Sequence, residues 1–146
     1  MTFSRSTTIN WQGSIMEGGG TLTAGTGAFT QKVTFPKRIG EPEGTTSPEE
    51  LIAGAHATCF AMVVAGAVGR ANATTKSTSV KCTITADKGE AGIKIVSSKL
   101  EVTAEGLTGL DAAGFDKLVK DADAKCPVSN LLRSGLTIEI STQVRG

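Results

Sequence analysis

The chain has 146 residues, enough for one domain with a real core and few for two. Its 15 Lys and Arg against 14 Asp and Glu give a formal net charge of +1, so no electrostatic footprint for nucleic acid or an anionic membrane is present. Tyr is absent and 4% of residues are aromatic, too few for a base-stacking surface, and three cysteines are an odd number for a disulfide framework.

In chain order, the opening MTFSRSTTINWQG lacks the charged and apolar regions of a signal peptide, and a cytoplasmic location is expected. Thr8 to Trp11 alternate weakly as a strand, MEGGGTLT reads as a hairpin turn, and Ala28 to Phe35 is a second strand candidate. The glycine triplet has no GK[ST] after it and opens no helix, which argues against a phosphate loop. PKRIGEPEGTTS reads as a loop carrying Lys37, Arg38, Glu41 and Glu43. At Ser47 a long helix is announced: Ser47 suits the N-cap, Pro48 the first helical position, and Glu50 completes a capping box. Gly69 is the expected stop.

Val80, Cys82 and Ile84 fall on one face of a half-buried strand, DKGEAG makes a turn, and Ile93 to Val96 with Lys99 to Thr103 continue the sheet. Asp111 caps a second helix, amphipathic through Phe115, Leu118, Val119 and Ala122 and closed at Cys126-Pro127. Pro127 opens a short turn through Asn130, and Leu136, Ile138 and Ile140 alternate in a last strand. The order predicts a single α+β domain over 1–146, with mainly antiparallel sheets and a long central helix.

That first helix is apolar all round. Leu51 to Val68 approaches the ~18-residue length of a membrane span, but His56, Thr58 and many Ala and Gly residues favour a covered protein helix. A chain of this size can hardly cover it alone, so an obligate homodimer is expected, with this helix near the interface.

Cys59 lies deep in this helix, beyond the reach of its dipole, and apolar surroundings raise a thiol pKa. Read locally it is a buried structural cysteine, and a working thiolate needs a cation brought from elsewhere in the fold. His56 stands one turn earlier on the same face. Two further readings follow: a zinc site using His56, Cys59, Cys82 and Cys126, which no C-x-x-C spacing supports, and a Cys-His hydrolase with His56 as base. Cys82 reads as a core residue of its strand.

SPEELIAGAHATCF and KCPVSNLL together strongly resemble two motifs of the OsmC/Ohr family of thiol peroxidases, and the histidine of GAHATCF resembles the OsmC branch. The likeness extends over nearly the whole chain, although the family's usual Gly-Thr-Asn-Pro before the helix is replaced by GTTSPEE. The resemblance implies an intertwined α+β homodimer of OsmC-like fold and a peroxidase needing no cofactor or metal. It implies that Cys59 attacks an organic hydroperoxide, with hydrogen peroxide a poorer substrate. Cys126 would resolve the sulfenic acid as a disulfide, and a dithiol, lipoyl-like or other, would reduce it. Arg38 and Glu49 carry over as the pair beside the thiolate; Arg38 suits this better than Lys37 because a guanidinium can hold a carboxylate and still face a thiolate. The non-catalytic alternative is a redox sensor using the same disulfide.

Overall fold

Residues 1–146 are described by a computed structural model and divide into two units, Met1–Pro48 and Glu49–Gly146. The first unit is an antiparallel meander of β1 (Thr7–Gln12), β2 (Gly19–Ala24) and β3 (Thr30–Val33), followed by a short helix α1 (Phe35–Ile39). The β1–β2 register pairs Thr7 with Ala24 and Gln12 with Gly19, so the hairpin turn lies earlier than the glycine triplet suggests. Gly19 and Gly20 already belong to β2. A Cβ on Gly20 would come within 3.0 Å of the Ile9 and Trp11 side chains, so glycine is what lets these large residues lie across the strand.

α1 replaces part of the expected loop. Thr34 caps it, accepting from the Lys37 amide at 3.3 Å, and Pro36 sits in its first turn, where no amide is needed. Five residues are too few for hydrophobic periodicity to announce a helix. Lys37 is paired with Glu43 at 3.0 Å.

The second unit opens with α2, Pro48–Arg70, and then forms β4 (Ser77–Gly89), β5 (Gly92–Glu105), α3 (Ala112–Ala122), a 3₁₀ turn (Asp123–Lys125), α4 (Pro127–Leu132) and β6 (Thr137–Arg145). α2 runs past Gly69. It ends where Asn72 takes a left-handed φ of 54°, with the Asn72 amide on Gly69 O and the Ala73 amide on Val68 O. This is a Schellman closure with asparagine in the place usually held by glycine. His56, Phe60, Val64 and Val68 form its buried stripe at four-residue spacing.

β4 and β5 make a long antiparallel hairpin with a bulge between Thr85 and Ala86, while β6 lies parallel to β5, from Ser97↔Thr137 to Glu105↔Arg145. The sheets are mainly antiparallel, as expected, and this parallel pair is the exception. A parallel neighbour requires a long crossover, and α3 and α4 supply it. Asp111 caps α3 as predicted, accepting from the Gly114 amide at 2.7 Å, and Asp116 accepts from Thr142 of β6 at 2.7 Å. The core combines Phe60, Val64 and Val68 of α2, Leu100, Val102 and Ala104 of β5, and Phe115, Val119 and Ala122 of α3, with Cys126 at its end. Fully burying a side chain such as Phe60 or Leu100 contributes about 1.5–3 kcal/mol.

Candidate active site

Cys59 and Cys126 are far apart in sequence and meet in space. The Cys126 thiol points at the Cys59 sulfur, with Sγ···Sγ 3.3 Å, and both thiols are free. Cys59 is half-buried on α2, one residue before the core residue Phe60; Cys126 is fully buried. The sequence brings Cys126 there through proline. Pro127 starts α4, which makes Cys126 its N-cap, and the Cys126 sulfur accepts from the Ser129 amide at 3.4 Å. A disulfide bond measures about 2.05 Å, so a small local shift closes the pair.

Burial pushes the Cys59 thiol above the ordinary value. A hydrogen bond from the Val128 amide acts the other way, and the Cys126 thiol adds to the rise. The first turn of α4 thus turns one amide to each sulfur. That leaves Cys59 short of a full activating charge, which an added cation would supply.

His56 turns both ring nitrogens to serine partners. It is completely buried, and its two ring nitrogens are taken by serines: Nδ1 lies 2.7 Å from Ser98 Oγ and Nε2 lies 2.7 Å from Ser129 Oγ. Burial lowers its pKa; Asp123 opposes this and Arg133 adds to it. Asp123 is itself held by Arg133 at 2.9 Å. Phe60 meets the imidazole edge-on with centroids 6.2 Å apart. Leaving any one of these buried polar groups without a partner would cost about 1–3 kcal/mol. A Cys-His hydrolase would need one of these nitrogens released from its serine to act as base. Cys82 ends the chain of polar contacts, with Sγ 3.2 Å from Ser98 Oγ, and burial raises its thiol pKa.

The remaining candidates lie away from the two thiols in sequence. Arg38 is a half-buried residue of α1 in the first unit, and Glu49 is a half-buried residue in the first turn of α2. Ser98 was not singled out from the sequence, and Ser129 entered only as part of the KCPVSNLL motif, without a role. Ser98 left a signal: it heads the buried β5 series Ser98, Leu100, Val102, Ala104, where a hydroxyl on an apolar face needs a partner.

The fold and the paired thiols define a class, α+β proteins with a cysteine on a long apolar helix and a second at the cap of a short one. A sequence profile described as OsmC-like protein matches residues 40–141. The chain is 36% identical over 141 residues to Peroxiredoxin OsmC of Escherichia coli (strain K12), covering 95% of this chain and 96% of that protein. It is 29% identical over 119 residues to organic hydroperoxide resistance protein-like 2 of Staphylococcus saprophyticus, covering 80% and 81%. Among solved structures, an organic hydroperoxide resistance protein from Elizabethkingia anophelis superposes with a TM-score of 0.77 at 19% identity, covering 100% of this chain and 99% of that one. OhrB of Bacillus subtilis gives 0.75 at 22%, covering 96% and 98%. The chain belongs to the OsmC family.

Proposed function

We propose that this protein is a thiol peroxidase that reduces organic hydroperoxides to alcohols. The observation that carries this reading is the contact of a half-exposed and a buried thiol, Cys59 and Cys126, at 3.3 Å. In the first step the Cys59 thiolate attacks the O–O bond. The distal oxygen stays on sulfur as a sulfenic acid, and the leaving alkoxide takes a proton to become the alcohol. In the second step the Cys126 sulfur displaces the sulfenic hydroxyl, which leaves as water with the thiol proton. An external dithiol, lipoyl-like or other, then reduces the disulfide and is itself oxidised.

Arg38 supplies the cation and Glu49 holds it in place. Lys37, its neighbour, is engaged by Glu43. Ten residues of α2 separate Glu49 from Cys59, a rise of about 15 Å, so one helix cannot offer both to the same arginine. Two copies of α2 crossing antiparallel can, and the site is therefore composite in an intertwined homodimer. Support comes from α2 itself: Met62 is 69% exposed and only 22% of the helix's most apolar stretch is buried in the isolated chain. Pro48–Arg70 is long and apolar enough to cross a bilayer, and the dimer is the occupant we assign to that surface. The 146 residues act as one domain in a reducing cytoplasm, and an apolar pocket favours organic hydroperoxides over hydrogen peroxide.

The test is oxidation of cysteine variants by cumene hydroperoxide, read by intact mass and peptide mapping. Wild type should lose two hydrogens as a Cys59–Cys126 disulfide. Cys126→Ser should gain oxygens on Cys59, Cys59→Ser should stay reduced, and Cys82→Ser should behave as wild type. Oxidation persisting in Cys59→Ser, or a disulfide involving Cys82, would overturn the assignment.

A further inference from the structure

Ser129 occupies a position that the two-thiol chemistry does not use. Its amide donates to Cys126 Sγ at 3.4 Å, and its hydroxyl is 2.7 Å from His56 Nε2. His56 is in turn fixed on its other side by Ser98, with Nδ1 2.7 Å from Oγ. All three side chains are fully buried, and they come from three elements: Ser98 from β5, His56 from α2, Ser129 from α4. α4 has only six residues and little core of its own; Ser129 is its one buried residue. Beside the apolar contacts of Cys126 and Val128, this segment therefore has a polar side-chain anchor, and it runs through an imidazole one turn from Cys59 on the same helix.

We infer that His56 and Ser129 are positioning residues for the resolving step, holding α4 on α2 so that Cys126 attacks the Cys59 sulfenic acid before a second peroxide does. Resting on the proposed peroxidase chemistry, this assigns a role to the histidine that distinguishes GAHATCF. Disulfide geometry is narrow. To close, Cys126 must leave its hydrogen bond with the Ser129 amide and approach Cys59, while the rest of α4 stays in place. The Ser129 hydroxyl, tied to the imidazole, holds the helix during that movement. The first step meets this anchor only through the Val128 amide that α4 turns to Cys59, whereas closure depends on where α4 places Cys126 itself.

The experiment separates the two steps in full-length protein. Sulfenic acid formation is followed by dimedone trapping, disulfide closure by rapid quench, and hyperoxidised Cys59 by mass, with cumene hydroperoxide as the probe. Ser129→Ala removes the hydroxyl and keeps the amide. It should slow closure by up to about 10²-fold, the scale of rate loss that a misplacement of ~1 Å brings, and slow sulfenic acid formation less, with hyperoxidised Cys59 rising in step. Ser98→Ala, which loosens the other side of His56, should do the same to a lesser degree, and Ser129→Thr should restore closure. Val119→Ala, a core truncation in α3 away from this chain of contacts, serves as the control for lost stability. Closure at the wild-type rate in Ser129→Ala, or slowing matched by Val119→Ala at equal loss of Tm, would refute the positioning role and leave the peroxidase reading intact. A wild type that forms no trappable sulfenic acid at Cys59 would sink both.

Discussion

Burial pushes the Cys59 thiol above its ordinary value. The Val128 amide compensates only in part. A peroxidatic thiol in this setting needs a cation, and Arg38 is the one assigned. If Arg38 lowers the pKa, peroxide consumption rises with pH through a midpoint below that of the variant without it. Arg38→Ala should therefore move the midpoint of the pH–rate profile to more alkaline values and lower the neutral-pH rate about 10²–10³-fold, as for removal of other preorganised charges. Arg38→Lys should recover part of the shift. A midpoint unchanged in Arg38→Ala, measured as kcat/KM against pH, would assign the activation elsewhere. The pairing of the two thiols came only from the family resemblance, since Cys59 read locally as structural; their placement, in a capped apolar helix and at a proline stop, was legible in the sequence. The serines were not, because a hydroxyl becomes informative only when its partner is known. Ser98 and Ser129 lie 42 and 73 residues from His56 along the chain.

Among the elements, α2 was read most fully. Its start, length and uniform apolarity follow from Pro48, Glu50 and the Ala-rich run. Its end was misread because Gly69 offers no more than conformational freedom, whereas Asn72 takes the left-handed φ and so closes the helix. α1 escaped because a five-residue helix shows no period. In the isolated chain α2 buries only the His56, Phe60, Val64 and Val68 stripe, and its other faces are what the proposed dimer covers. Subunit mixing tests the composite site. Cys59→Ser and Glu49→Ala homodimers should each be weak or inactive. Unfolded and refolded together, they should regain activity, because one site of the heterodimer then joins an intact Cys59 to an intact Glu49. Heterodimer formation by mass without recovered activity would place Glu49 and Cys59 of each site in one chain.

At the scale of the molecule, the α+β class and the order of elements follow from the sequence, but the parallel placement of β6 does not. Alternation in Leu136, Ile138 and Ile140 fixes which face is buried and says nothing of strand direction. The crossover through α3 and α4 decides that, and it also delivers Cys126 to Cys59. Tertiary topology thus brings two cysteines distant in sequence to 3.3 Å from each other. Whether that pair turns over, as a peroxidase, or switches once, as a sensor, is decided by one measurement: moles of cumene hydroperoxide reduced per mole of wild-type protein with a dithiol in excess. Continuous consumption far beyond one equivalent, abolished in Cys59→Ser, is the expected result; consumption that halts at one equivalent per thiol pair while dithiol remains would contradict it.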